Sequence, residues 1–364
     1  MNRIAVVTVV HDPRDARIYR RQIVALTAAG YEVTFAAPFT AFGVVPPSSV
    51  RAVDLPRASG RNRLRAIRTA RTFLHQHGPN HDLVLLHDPE LLMAVGNLSG
   101  PCVVWDVHED TASAVSMKAW IPDPLKSPAR RLVSLAESRA EDQLHLILAE
   151  EGYRARFKRH HPVVPNTTPV AETVAPPGDS RIVYVGSLTR ERGVKDMVDT
   201  ARLLADENIQ FDLVGPADTF ATSILEPAHR DGIVTWHGFV PNEAAMNLLD
   251  GALCGLSLLH DEPNYQHSRP SKVLEYMAHG IPVVSTPTAA AAELLESTGA
   301  GVLVPYVDPD ATAEAIRQLH RNRSDRESMG RRGHTWALRN ANWNVDSEKF
   351  IRTLESWLAG KSDR

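Results

Sequence analysis

Apolar residues come along this chain in two alternating rhythms. Residues 4–10 form an almost unbroken β-rich run, and residues 16–29 place apolar side chains at helical spacing before Gly30. Runs of the first kind recur at 31–37, 50–55, 82–87, 102–107 and 144–149. Helical patterns lie between them at 62–77, 89–98 and 128–143. Strand and helix taking turns predict βαβ units and a parallel sheet. Such sheets take ligands at the C-terminal ends of their strands.

The rhythm pauses at 161–180, which holds five prolines and little periodicity. It restarts at Arg181, with strands predicted at 181–185, 210–214, 233–237, 253–259, 281–285 and 301–304 and helices between them. The pause reads as a linker between two doubly wound α/β domains. The expected boundaries are 1–168, 169–336 and a C-terminal segment 337–364. In that last segment residues 337–358 are amphipathic and carry Trp343 and Trp357.

A chain of 364 residues suits two domains of ordinary size. Hydrophobic content of 43% and charged content of 23% are those of a globular protein. No run is long and apolar enough to span a membrane, and no small-residue cleavage site follows the first strand. Cys102 and Cys254 each sit in an apolar run, which excludes a disulfide framework and a cysteine zinc site. A reducing cytoplasm is the expected setting.

Net charge is −3, but residues 1–170 carry 21 Lys and Arg against 16 Asp and Glu. An anionic partner, such as a lipid phosphate or a membrane surface, would suit that half, and so would plain solvation. Arg57, Arg61, Arg63, Arg65, Arg68 and Arg71 cluster around Leu64, Ile67 and Leu74 in one basic amphipathic segment. No aromatic interleaving or nucleic-acid motif accompanies them, so nucleic acid is not an expected partner.

Chemistry concentrates where predicted strands end. Residues 269–286 read R-P-S-K-V-L-E-Y-M-A-H-G-I-P-V-V-S-T, a loop feeding a helix and then a buried strand. A helix start with free N–H groups favours phosphate, and Lys272 adds a cation. Glu275 lies about one turn further in, placed to accept hydrogen bonds from sugar hydroxyls. Gly186 follows strand 181–185 and precedes a helix beginning near Gly193, another backbone approach to phosphate, with Arg192 at its end. His237, Gly238 and Phe239 close a strand in a turn that is either structural or beside a base.

The other half offers His108 after strand 102–107, among Asp106, Glu109 and Asp110. Metal ligand, general base and sugar-binding group are all open to it. His11, Asp12, Asp15 and Arg17 follow the first strand, either as acceptor contacts or as a cap and salt-bridge set for the next helix. In His87-Asp88-Pro89, capping suits Asp88, and His87 is a further acceptor-side candidate.

Four stretches together resemble the retaining glycosyltransferases of family 4 (glycosyl transferases group 1, the GT-B fold). They are 269–286, V-Y-V-G-S-L-T-R-E-R-G-V at 183–194, V-V-T-V-V-H-D-P-R-D-A-R at 6–17, and V-V-W-D-V-H-E-D at 103–110. The resemblance implies two Rossmann-like domains and transfer of a sugar from a UDP- or GDP-linked donor to a hydroxyl acceptor. The acceptor would belong to exopolysaccharide, lipid-linked glycan or secondary-metabolite synthesis. It implies no cofactor and no metal. The basic half would bring a cytoplasmic protein to the inner face of the cell membrane.

Carried over residue by residue, the donor would meet Gly186, Ser187, Arg192, Gly238, Phe239, His267, Pro270, Ser271, Lys272, Val273 and Glu275. The acceptor would meet His11, Asp12, Asp15, Arg17, His87 and Glu109. His108, Arg192 and Lys272 would act on the reacting groups, with His108 beside the donor sugar. The family usually has lysine where this chain has Arg192, arginine where it has Ser187, and glutamate where it has His267. Ser187 removes one charge, and the departure at His267 bears on donor preference. An inverting GT-B transferase or a nucleotide-sugar epimerase would share the fold, as would, more distantly, a two-domain periplasmic-type binding protein.

Overall fold

Two sheets, each of six parallel strands, organise the chain. The structure is a computed structural model and describes residues 2–96, 98–108, 123–262, 265 and 271–362. One compact unit contains the residues up to Asn166 together with those from Asn344 on; the other is Thr167–Trp343.

In the first unit the strands are β1 (Arg3–Val7), β2 (Glu32–Ala37), β3 (Arg51–Asp54), β4 (Leu83–Leu86), β5 (Cys102–Val107) and β6 (His145–Leu148), in the order β3-β2-β1-β4-β5-β6. In the second they are β7 (Arg181–Val185), β8 (Gln210–Val214), β9 (Thr235–Gly238), β10 (Cys254–Ser257), β11 (Val283–Ser285) and β12 (Gly301–Leu303), in the order β12-β11-β10-β7-β8-β9. The order reverses between β1 and β4 in one sheet and between β7 and β10 in the other. Connections leave such a pair towards opposite faces, so the loops part and open a crevice. Both candidate sites begin at these crevices.

Strands buried on both faces read as continuous apolar runs, which is why the sequence shows them clearly. Ala5, Val7, Val84, Leu86 and Trp105 pack against Ala66, Ala70, Phe73 and Leu74 of the helix Arg63–His77. In the second unit Ile182, Tyr184, Leu213 and Leu256 pack against Val194, Met197, Val198 and Ala201 of the helix Val194–Leu203. Burying each large side chain stabilises by roughly 1.5–3 kcal/mol. Among the described residues, no helix is long and apolar enough to cross a membrane.

Three elements differ from the pattern-based expectation. The first strand stops at Val7 rather than residue 10, because the N–H groups of Val9 and Val10 are taken by the Asp88 carboxylate. The helix expected over 16–29 starts as a π-helix, Ala16–Ile23, before the short α-helix Val24–Ala28. The amphipathic stretch 337–358 is not one helix. It is shared between Arg323–Asn340 and Trp343–Ser362. Between them Asn342 Oδ1 accepts from Val170 N at 3.3 Å and Trp343 N donates to Thr168 O at 2.9 Å, which turns the chain out of the helix.

Candidate functional site

The ends of β7, β8 and β9 in the second unit form a floor of bare backbone. Gly186 N donates to Val214 O and Gly215 N to Gly238 O, both at 2.8 Å. A Cβ at Gly215 would strike the carbonyl of Gly186. Gly186 itself has φ +142°, a conformation that L side chains rarely adopt. Side chains at these positions would fill the space that the glycines leave open.

Lys272 stands over this floor. It is in the first turn of the helix Ser271–Ala278, and its ammonium lies 5.3 Å from the Tyr184 ring centroid. Burial and the charge of Arg192 push its pKa down to about 8, with Glu275 acting in the other direction. The environment therefore resists a second positive charge next to Arg192. An anion placed there relieves that repulsion. Tyr184 is buried beneath, its hydroxyl donating to Ser187 O at 2.7 Å. Burial, with Arg192 opposing, pushes that phenol up to about 12, so it stays neutral.

The loops around these cations are fixed by further contacts. Tyr276 fills the space beside Gly255 and donates its hydroxyl to Leu256 O at 3.0 Å. His260 pairs with the buried Asp196 at 2.8 Å, and its backbone N–H donates to Glu191 O at 2.9 Å, next to Arg192. Arg190 lies over the Phe220 ring at 3.7 Å. Ser187 and Phe239 are exposed, and Gly238 turns with φ +64°. Val273 is wholly buried in the core, so any donor contact from it is through backbone. Pro270 and His267 lie outside the described residues.

In the first unit the loops after β1, β4 and β5 bring together three histidines and two aspartates. Asp88 is buried and accepts from Thr8 Oγ1 at 2.9 Å, from Val9 N, from Val10 N at 3.1 Å and from His11 Nδ1 at 2.6 Å. Burial alone would raise its pKa, but His11 and the N–H and O–H donors hold it below the usual range. His11 Nε2 lies 3.2 Å from His108 Nε2. His108 Nδ1 faces the Asp106 carbonyl at 3.1 Å and its carboxylate at 3.5 Å.

Asp106 is buried and receives Arg17 through two parallel bonds, 2.7 and 2.6 Å, with Gln22 Nε2 at 3.0 Å. Against the cost of burial, the Arg17 charge and hydrogen bonds hold this carboxyl well below the usual range. His87 is buried, and its Nδ1 lies 3.3 Å from Asp106 Oδ2. Burial pushes the pKa of this histidine down and keeps it neutral.

Several sequence expectations change here. Arg17 and His87, expected at the acceptor, are buried; Arg17 holds Asp106 instead, and His87 packs beside it. Asp88 does not use its side chain to cap the helical turn at Pro89, because that side chain reaches back to β1 and its loop. Asp15 does cap the following helix, accepting from Arg17 N and Ile18 N. Asp12 is bound by Arg14 at 2.8 and 3.0 Å. Glu109 lies outside the described residues.

His87, Asp106 and His108 place ligand-type atoms within 4.8 Å of one another. Both Asp106 oxygens already face the Arg17 guanidinium, so a divalent cation there would meet a positive charge. Sequence reading missed Asp88 as the partner of His11, and Gln22, Tyr184, Gly215 and His260 altogether. Two histidines and two aspartates at consecutive strand ends were the available signal.

Comparison with known proteins bears on the second unit first. Residues 179–322 match the family model for glycosyl transferases group 1. The colanic acid biosynthesis glycosyltransferase WcaL of Escherichia coli K12, a putative assignment, is 29% identical over 147 residues. That stretch is 39% of this chain and 36% of WcaL, so the chain matches little more than a third of this relative. Sucrose-phosphate synthase from Thermosynechococcus elongatus has a similar structure, with TM-score 0.73 and 18% identity over 99% of this chain and all of the other. Anabaena HepE, solved with UDP and glucose, gives TM-score 0.68 and 13% identity over 98% of this chain and all of that one. These likenesses show the fold, which is GT-B.

Proposed function

We propose that this chain is a glycosyltransferase that moves a sugar from a nucleotide-diphosphate donor to a hydroxyl acceptor, with retention at the anomeric carbon. The observation that carries the reading is the Lys272 side chain lying against the bare backbone of Gly186, within reach of the Arg192 charge. Two cations and a glycine floor at the start of a helix suit a diphosphate. One further negative charge develops on the leaving diphosphate as its bond to the anomeric carbon breaks, and these groups would stabilise it. Glu275, one turn into the same helix, would accept from ribose hydroxyls. UDP or GDP is the expected nucleotide, in keeping with the UDP found in HepE.

The first unit would hold the acceptor at His11 and His108, with Asp12 beside them. An acceptor of the exopolysaccharide or lipid-linked class accords with the relative named for colanic acid synthesis. Arg61, Arg65, Arg68 and Arg71 are exposed beside Leu64 and would meet anionic lipid at the cytoplasmic face. No cofactor or metal takes part in this scheme. Nucleic acid does not enter it.

One observation favours an inverting transferase as the second reading. Inverting transfer needs a base, and His11 held by Asp88 has the form of one. A screen of UDP- and GDP-sugars for nucleoside diphosphate release tests the class. Proton NMR of the glycosidic product decides between retention and inversion. No release from any nucleotide sugar would refute the proposal.

A further inference from the structure

We infer that a groove on the second unit binds an acidic saccharide, with a pyranose ring against Trp336 and its carboxylate on Arg339. The groove runs between the helices Ala289–Thr298 and Arg323–Asn340 and has a volume of about 420 Å³, inside the range of roughly 300–1,000 Å³ that small-molecule pockets occupy. One wall is a single face of the longer helix, where Ser328, Arg331, Arg332, Thr335, Trp336 and Arg339 recur at spacings of three and four. Ser297 and Thr298 form the other wall. The groove is turned away from the helix that carries Lys272. Gly330 and Gly333, on the opposite face of Arg323–Asn340, pack against Gly280 and Met277 instead.

The charge on the groove face has one sign. Residues 328–340 include three arginines and no acid, whereas a helix face that is merely solvated interleaves both signs. Two of the arginines are engaged. Arg332 Nε donates to Gly299 O at 2.9 Å and its Nη1 to Ser328 Oγ at 2.8 Å, which ties down the end of Ala289–Thr298. Arg331 Nη1 lies 3.6 Å from a Glu327 carboxylate oxygen. Arg339 is exposed and has no partner among the described residues. The same holds for the indole N–H of Trp336 and the hydroxyl of Thr335. Trp336 is half-buried, part of it packed on the core that contains Met277 and Ala300 and part of it lining the groove. A guanidinium, an indole and a hydroxyl, all with bonding capacity to spare, thus line one groove.

These three groups together select a ligand. A pyranose has an apolar C–H face and a rim of hydroxyls. The face suits an indole, and the rim accepts from the indole N–H and exchanges hydrogen bonds with Thr335. A guanidinium binds a carboxylate through two parallel hydrogen bonds. A free phosphate would use Arg339 and leave the indole idle. A bilayer is flat and would meet the arginines at the rim of the groove alone. A sugar ring bearing a carboxylate uses all three groups. Such binding needs no step of the glycosyl transfer proposed above.

Calorimetry of the full chain with oligogalacturonate, whose pyranose rings each bear a carboxylate, tests the site. The expected result is saturable binding that weakens as salt rises, with the neutral maltohexaose bound at least tenfold more weakly. Arg339→Ser should lower the affinity for oligogalacturonate at least tenfold, as for loss of a charge-assisted contact. Trp336→Leu keeps an apolar side chain against the core, removes the ring, and should lower the affinity as well. Arg339→Ser disturbs no contact of the fold, so it decides the matter even if Trp336→Leu does not fold. No binding of oligogalacturonate, or full affinity in Arg339→Ser, would overturn the site. Full affinity in a folded Trp336→Leu would overturn the sugar ring. Inorganic phosphate or phosphatidylglycerol vesicles bound as tightly, with the same loss in Arg339→Ser, would overturn the saccharide in favour of a bare anion or a lipid. Failure of every nucleotide sugar to release its diphosphate would sink glycosyl transfer and leave the binding result standing.

Discussion

Lys272 occupies the space that a side chain on Gly186 would need. A Cβ there would lie 2.5 Å from Lys272 Cε and 3.0 Å from Nζ, and the glycine's φ of +142° is one that L residues rarely adopt. The two residues lie 86 positions apart in the sequence, yet one fixes where the other's ammonium sits. Gly186→Ala should strain the loop and displace the lysine. Loss of a positioned charge-assisted contact costs about 1.5–3 kcal/mol, so UDP or GDP affinity should fall at least tenfold while the far-ultraviolet spectrum stays unchanged. Unaltered affinity by calorimetry would separate Gly186 from the phosphate site.

The depressed pKa of Lys272 makes nucleotide binding pH-dependent, and its sign can be worked out. The free site titrates at about 8. A bound diphosphate stabilises the ammonium and raises that value, so binding takes up a proton above pH 8. Affinity should be full below pH 8 and fall by up to about tenfold per unit as pH rises beyond it. Calorimetry in buffers of differing ionisation enthalpy reads the proton directly. A flat profile from pH 7 to 9 would contradict the arrangement.

Glu275→Ala should weaken nucleoside diphosphate binding by about 1.5–3 kcal/mol, the cost of hydrogen bonds to a charged acceptor. Its effect on inorganic pyrophosphate should be small, because pyrophosphate has no ribose. Equal loss for both ligands would place Glu275 away from the sugar.

Asp106→Ala tests stability. It strands the buried Arg17 guanidinium, which otherwise has two bonds to that carboxylate. Breaking a buried pair costs about 3–5 kcal/mol, visible as a lower denaturation midpoint. Asp106 is ionised well below its unfolded value. Its contribution is therefore present above about pH 4 and lost as pH falls through the folded value. A variant as stable as the parent at pH 7 would show the pair to be dispensable.

Turnover should survive chelation. Arg192 and Lys272 would supply the positive charge at a bound diphosphate, and Arg17 already holds Asp106 in the histidine cluster. Activity lost in EDTA and restored by Mg²⁺ or Mn²⁺ would overturn this.

The sequence displays what periodicity controls. Strands such as β5 and β7 are apolar throughout because helices cover both faces, and their bounds were legible to the residue. Gly186, Arg192, Lys272 and Glu275 stood out as candidates because loop and helix chemistry is local. Asp88 was misread because its local role, capping before Pro89, was plausible, whereas its partners Thr8 and His11 are some 80 positions away. Arg17 went the same way. Nothing in D-P-R-D-A-R tells that one arginine turns inward to Asp106, 89 residues along. Strand adjacency decides such pairs, and adjacency belongs to topology rather than to any window of sequence.

The turn at Asn342 bears on the order in which the chain assembles. Thr168 and Asn342 pair where the polypeptide enters and leaves the second unit, so that unit is inserted into the first with its two ends clipped together. The second unit is continuous and can close as soon as it has been made. The first cannot, because Tyr31 awaits Glu355 and His145 awaits Trp357. During synthesis, then, the part made first is finished last. The histidine cluster sits on a complete sheet that lacks one covering helix until Trp343–Ser362 arrives, and a break in that helix would be felt at the opposite end of the chain.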